Sequence, residues 1–191
     1  MLAPVRTVPP ATEPVTLAQA KAHLRVTSDA ENTLIAALVS AAVSHLDGWS
    51  GILGRCLITQ TWRQDFDGFG CMKLPFPNVA SAVVAYTDEN GTSQTLAGSN
   101  YHIINGVRGS SIVLSDGGSF PGTASKPDAV RVTFVAGYGD AAAVPDGLKA
   151  AILLHIGHLF ENRAAVEVGA TPTVLPLAYE ALIAPHRRVG L

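Results

Sequence analysis

The spacing of hydrophobic positions changes twice along the chain, from a helical period to an alternating one and back. Thr16 and Gln19 have the capping-box spacing and begin a predicted short helix that ends near Arg25. A second helix is predicted over about residues 30–49. Its apolar stripe comprises Leu34, Ile35, Leu38, Val39, Ala42, Val43, Leu46 and Trp49. No charge occurs between Glu31 and Asp47, so this helix lacks an ordinary solvated face.

The middle of the chain predicts short strands. Residues 57–66 alternate imperfectly, and residues 79–87 and 92–96 flank an Asp88–Gly91 turn that is typical of a hairpin. Further strands are predicted at 72–74, 101–104, 112–114 and 130–135.

The helical period returns at Pro145, and a third helix is predicted over about residues 145–162, followed by a last one over 177–184. The order helix–helix–sheet–helix–helix indicates an α+β fold in which N- and C-terminal helices form a bundle with an inserted antiparallel β subdomain. We therefore expect an extended N-terminal arm at 1–14, a helical part at 15–56 and 144–191, and a β subdomain at 57–143.

Composition adds a shortage of charge. Charged residues make up 15% of the 191 residues, against about 25% in an average domain. The formal net charge is -2 and 48% of the residues are hydrophobic, which argues against disorder and against a basic nucleic-acid binder. A soluble protein with this little charge is expected to bury surface against copies of itself.

The ends and cysteines point to folding in a cytoplasm. The N-terminus has no apolar segment of the kind found in signal peptides, and no apolar run reaches the roughly 20 residues of a membrane span. Cys56 and Cys71 are therefore expected to be reduced thiols.

Candidate chemistry is sparse. His155 and His158 share a helix face with Glu161 and leave a zinc site open as an alternative to packing, but the H-E-x-x-H pattern is absent. Asp65 and Asp67 would point the same way from a strand, either as paired carboxylates or as solvated acids at a turn. We expect no catalytic residues, no metal, no cofactor and no enzymatic activity.

Several strings in order resemble the head-tail connector (adaptor) proteins of tailed phages and the related adaptors of gene transfer agents. They lie at 15–26, 57–62, 83–91, 134–139, 144–145, 148–154 and 158–163, with Leu182, Pro185 and Arg187 as a weaker tail. The resemblance covers roughly residues 14–188. It departs at residues 115–127, where Phe120-Pro121 stands in place of the tryptophan-proline expected in the family, and at the unusually neutral residues 164–176.

The resemblance implies a structural virion protein, made in the bacterial cytoplasm, that forms a ring in the particle neck. Such rings commonly have twelve subunits, lie below the portal, extend the DNA channel and provide the platform for the next neck or tail component. The implied partners are other copies, the portal protein and a stopper or tail terminator. Double-stranded DNA passes through without specific binding, and no membrane is involved.

Candidate contact residues follow from the uncharged helices and from the family. The expected subunit-interface residues are Leu34, Ala37, Leu38, Ala41, Leu46, Leu153, Ile156 and Phe160. The expected portal-binding residues are Tyr179, Pro185, His186, Arg187, Arg188 and Leu191. We expect a neutral or acidic channel wall, and we leave open whether the arm 1–14 docks on a neighbour or on the portal. The alternatives are another phage neck or tail completion protein, or a small hydrolase that uses His155 and His158.

Overall fold

A computed structural model describes residues 2–116, 118–162 and 177–188. The chain forms two compact units. One, the β unit, contains the described residues within 1–11, 58–138 and 188–191. The other, the helical unit, contains those within 12–57 and 139–187.

The described elements confirm an α+β fold with two antiparallel sheets. The helices are α1 (Leu17–Leu24), α2 (Asn32–Leu46), α3 (Asp146–Glu161) and α4 (Leu177–Ile183), with 3₁₀ turns at Gly98–Asn100 and Ala184–His186. The strands are β1 (Val5–Val8), β2 (Gln60–Phe66), β3 (Met72–Leu74), β4 (Val79–Thr87), β5 (Ser93–Thr95), β6 (Tyr101–Gly106), β7 (Gly109–Leu114) and β8 (Val130–Ala136). No helix in the described ranges is long and apolar enough to cross a membrane.

The larger sheet has the strand order β1-β2-β8-β4-β5. In its centre Trp62 lies opposite Phe134 and Phe66 lies opposite Val130, so that alternate residues of both strands enter the core. The predicted hairpin is confirmed, since β4 pairs with β5 and Gly91 takes a φ of 82° in the turn.

The smaller sheet has the order β3-β7-β6. Phe76, which follows β3, is fully buried and contacts Trp62 at a ring-centroid distance of 4.9 Å and Phe134 at 6.2 Å. Its side chain therefore packs the segment after β3 against the central strands of the larger sheet.

The helical unit is built around α2 and α3, which pack together, with α1 against both and α4 against α3. The predicted capping box is present: the Thr16 hydroxyl accepts from the Gln19 backbone, and the Gln19 side chain accepts from the Thr16 backbone. After α2, the Asp47 carboxylate accepts the Leu57 N–H at 2.7 Å and fixes the loop between them.

The N-terminal segment, expected as an extended arm outside the core, contains a strand that the sequence pattern did not predict. Val5–Val8 pair with β2 and form the edge strand of the larger sheet, although all four residues are exposed. Four prolines in the first 14 residues hid this strand in the sequence. Proline is nonetheless compatible with edge strands and their flanks, because it lacks only the backbone donor.

Candidate functional site

The exposed side of α2 has no charged side chain. Its buried residues are Ile35, Val39, Ala42, Val43 and Leu46, and they cover one half of the helix. The opposite half consists of Thr33, Leu34, Ala36, Ala37, Ser40, Ala41, Ser44 and His45, all exposed. We call these eight residues the α2 outer face. The carboxylate of Glu13 reaches it at one point, where Ser40 Oγ donates to Glu13 Oε1 at 3.0 Å.

The predicted subunit-interface residues divide into accessible and inaccessible ones. On α2, Ala37 and Ala41 are exposed, Leu34 is 38% exposed and Leu38 is half-buried. On α3, Leu153 and Phe160 are half-buried.

Leu46 and Ile156 have no exposed surface at all. Their expectation as contact residues is corrected, because both side chains fill the core of the helical unit itself. The sequence pattern places Leu46 in an apolar stripe and Ile156 in a helix that is apolar nearly all round, and neither pattern shows which residues the chain itself covers.

A cluster of aromatic rings surrounds His155 in the helical unit. Its ring lies 5.2 Å from that of His45 on α2 and 5.4 Å from that of Tyr179 on α4, in edge-to-face orientation in both cases. His155 Nδ1 and the Tyr179 hydroxyl are buried and have no hydrogen-bond partner within the described part of the chain. His155 therefore acts mainly as an aromatic packing residue.

Burial sets the protonation of this cluster. It lowers the pKa of His155 below its ordinary value, and repulsion from His45 and His158 adds to the effect. Burial also raises the pKa of Tyr179 to about 12. Both groups are accordingly neutral near pH 7.

The zinc alternative finds no geometric support. His158 lies beside its own helix neighbour Asn162, whose side-chain nitrogen is 3.4 Å from His158 Nδ1. Across the described ranges no group of three or more histidine, cysteine or acidic side chains could hold a metal ion.

The other candidate acids are also accounted for by structure. Asp65 is nearly buried and pairs with Arg63 at 3.1 Å and with Arg131 at 3.6 Å, whereas Asp67 is exposed. Asp88 accepts the backbone N–H groups of Asn90 and Thr92 in the hairpin turn, and the Thr92 bond lowers its pKa. These carboxylates fix strands and turns.

The predicted portal-binding residues also divide into buried and accessible ones. Tyr179 is fully buried, so its side chain offers no surface to a partner and that expectation is corrected. Pro185 is exposed, His186 is half-buried with its carbonyl accepting from Arg55 Nε at 2.6 Å, and Arg187 pairs with Glu180 at 3.8 Å. Arg188 donates to the Pro75 carbonyl. Leu191 lies outside the described residues, as do residues 164–176.

Sequence reasoning missed two features of these surfaces. Trp49, assigned to the apolar stripe, follows the end of α2 and is 48% exposed. His45, which is not part of the predicted apolar stripe, lies on the α2 outer face and touches the ring of His155. The four-residue spacing of His45 from Ala41 would have placed it on the same face.

Comparison with known proteins shows a shared fold at low sequence identity. No family profile matches the chain. No curated protein matches it either. Among solved structures, a chain described as the neck of an empty GTA particle computed with C6 symmetry aligns with a TM-score of 0.78 and 22% identity, over 100% of this chain and 97% of that chain.

Two further solved chains have the same fold. One comes from the virion of a native gene transfer agent (GTA) particle, with a TM-score of 0.72. The other comes from the neck of a native GTA particle computed with C12 symmetry, with a TM-score of 0.67. Both are 21% identical to this chain, and each alignment covers 97% of this chain and 97% of the other.

Proposed function

We propose that this protein is a structural subunit of the neck of a phage or gene-transfer-agent particle, namely the head-tail adaptor. The observation that carries the proposal is the extent of the shared fold. It spans the whole chain, β unit and helical unit alike, and the similar chains come from GTA particles, two of them from the neck. The order of the sequence strings supports the same assignment independently.

In this proposal the protein forms a ring, commonly twelvefold in the family, below the portal. The ring extends the DNA channel and carries the next neck or tail component. Its functional divisions are the N-terminal segment 1–14, which includes strand β1, the helical part 15–56 and 144–191, and the β subdomain 57–143. The protein is a virion component without enzymatic activity or cofactor.

The α2 outer face is the proposed contact between neighbouring copies. A ring needs two different surfaces on each subunit, which meet head to tail and close by rotation. Charged residues are depleted at the centres of protein interfaces, and this face has none over its whole length. Its alanines and serines permit close approach of a neighbouring element, with Leu34 available as an apolar anchor. Leu38, Leu153 and Phe160 retain partial exposure and complete the candidate set.

The C-terminal turn is the proposed portal contact. Pro185 and Arg187 are exposed there, and His186 and Arg188 keep part of their surface accessible. With Leu191 they form a short, basic and proline-containing end. Arginine is enriched at interfaces because its planar group can form several hydrogen bonds at once.

One substitution tests the ring contact. Ala37→Asp places a carboxylate at the centre of the α2 outer face, where closure of a ring would bury it without a partner. We expect the variant to fold but to be lost from the particle neck, as measured by cryo-electron microscopy and mass spectrometry of particles produced with the variant as the sole copy.

Ala18→Asp is the matched control. Ala18 is also an exposed helical alanine of the same unit, and it lies in the first turn of α1, where a carboxylate suits the helix dipole. We expect it to assemble normally. Normal neck incorporation of Ala37→Asp would remove α2 from the interface, and a wild-type chain that is absent from purified necks would overturn the proposed function.

A further inference from the structure

We infer that strand β1 is exchanged between neighbouring copies, so that Val5–Val8 of one copy pair with β2 of the next. The inference rests on the proposed function, because it requires a ring. It goes beyond that function by naming the element that one copy contributes to the sheet of another.

The first observation is how β1 is held. All four residues are exposed, with Val5 at 52% and Val8 at 54%, so that the strand fills no core position. It is bound by its pairing with β2 and by the hydroxyl of Thr7, which donates to the Thr61 carbonyl at 3.2 Å. The preceding residue Leu2 adds its N–H to the Asp65 carbonyl at 3.0 Å.

These contacts depend only on groups that every copy of the chain presents, so β1 could make them with a neighbouring copy. The β2 edge of a neighbouring copy presents the same backbone groups, the same Thr61 carbonyl and the same Gln64 side chain, which donates to the Leu2 carbonyl. Exchange therefore conserves these hydrogen bonds, and because Val5–Val8 are exposed the strand itself leaves no core position empty.

The second observation is that β2 needs a partner on this edge. β2 supplies Trp62 and Phe66 to the core and pairs with β8 on its other side. Without β1 its backbone groups on this edge would be an open template for uncontrolled pairing. In the described chain β1 covers this edge, and a β1 from another copy would cover it equally well.

The third observation is the connection that follows β1. Pro9, Pro10 and Pro14 occupy half of the six residues between Val8 and Val15. Prolines hold this segment extended, and short hinge loops under strain invite exchange of the element they carry. Six residues reach up to about 20 Å. The hinge also joins a strand of the β unit to the first residues of the helical unit.

A closed ring is the arrangement in which such an exchange is complete. Each copy donates one strand and receives one, so no β2 edge stays open, whereas any open chain of copies leaves one uncovered. Exchange is thereby linked to ring closure, and a single copy satisfies its own edge as the structure shows.

Disulfide trapping tests the exchange. Val5 and Arg63 are direct antiparallel neighbours, and such neighbours lie at Cα separations that a disulfide spans. Val5→Cys with Arg63→Cys is introduced together with Cys71→Ser, since Cys71 is exposed and Cys56 is buried. Necks assembled from this variant are oxidised, denatured and run on a non-reducing gel, where we expect a ladder of covalently linked copies. The dilute unassembled chain should give only an internally bridged monomer.

Matched variants make the outcome specific. Val83→Cys with Thr133→Cys joins β4 to β8, which belong to one chain in either arrangement, and should give only monomer from the same necks. The single variants Val5→Cys and Arg63→Cys should give no ladder. Internally bridged monomer alone from assembled necks would overturn the exchange and leave the proposed function intact. A wild-type chain that is absent from necks would overturn both.

Discussion

His155 shows how a residue with catalytic chemistry serves packing. Its ring touches His45 and Tyr179, its Nδ1 is buried without a hydrogen bond, and burial lowers its pKa. A buried neutral imidazole is costly to protonate, so His155 makes the stability of the helical unit sensitive to acid. The zinc alternative required convergent ligands, which the described residues do not provide.

The first prediction concerns this protonation. The folded pKa of His155 is lowered from its ordinary 6.5, so the unfolded chain binds the proton at a higher pH than the folded chain. The free energy of unfolding must therefore fall as the pH decreases from about 6.5 toward the lowered pKa. His155→Phe keeps an aromatic ring and removes the titration. In chemical denaturation at pH 7.5 and 5.5, we expect the variant to lose less stability between the two pH values than the wild type does.

His102→Phe controls for the loss of any histidine, because His102 is exposed on β6. It should retain the wild-type difference between the two pH values. His186, whose pKa burial also lowers, leaves a residual slope in every variant. An unchanged difference in His155→Phe would show that protonation of His155 does not govern acid stability.

At the level of single residues the sequence showed which side chains have the chemistry of an interface, but not which of them are exposed. Leu46, Ile156 and Tyr179 have the right chemistry for an interface, yet all three fill the core of the helical unit. A helix that is apolar nearly all round gives no contrast between its faces. Only the packing partner of each face decides which residues remain accessible, and that information lies far away in the chain.

At the level of elements the sequence was informative where local chemistry acts. The capping box, the Asp88–Gly91 hairpin turn and the helices at α2 and α3 all appear, with α2 about one turn shorter at its C-terminal end than expected. Val5–Val8 was missed as a strand because its pairing with β2 is more than 50 residues away and its prolines suggest an isolated arm. Non-local pairing has no local signature.

The second prediction concerns the start of α1. Thr16 Oγ1 accepts the Gln19 N–H at 3.2 Å and the helix has only eight residues, so the cap is a large part of its stability. Thr16→Ala should lower the free energy of unfolding of this helix by about 1 kcal/mol and speed hydrogen exchange at the Gln19 amide. Thr27→Ala, at an exposed position after α1, should change neither quantity. Unchanged exchange at Gln19 would show that the cap contributes nothing.

At the level of the whole molecule the shortage of charge has a location. The α2 outer face contributes eight exposed positions without a charged side chain, and α3 adds a long stretch between Lys149 and Glu161. Several charges elsewhere are paired within the chain, as in the set formed by Asp65, Arg63 and Arg131. Both uncharged stretches lie in the helical unit, and depletion of charge is typical of the centres of protein interfaces.

The last prediction follows from the same charge distribution. With 13 basic and 15 acidic residues the chain has no excess of positive charge with which to hold DNA. Proteins that bind DNA without sequence preference do so with dissociation constants of about 10⁻⁴–10⁻⁶ M through counterion release, and their affinity rises steeply as salt is lowered. We expect fluorescence anisotropy with duplex DNA to show no binding in that range at about 150 mM salt, and none to emerge at about 50 mM. A conduit must let DNA slide, so weak attraction is a functional requirement in the proposed ring. Steeply salt-dependent binding would instead mean that basic side chains are concentrated on one surface, and the neutral or acidic channel wall would be wrong.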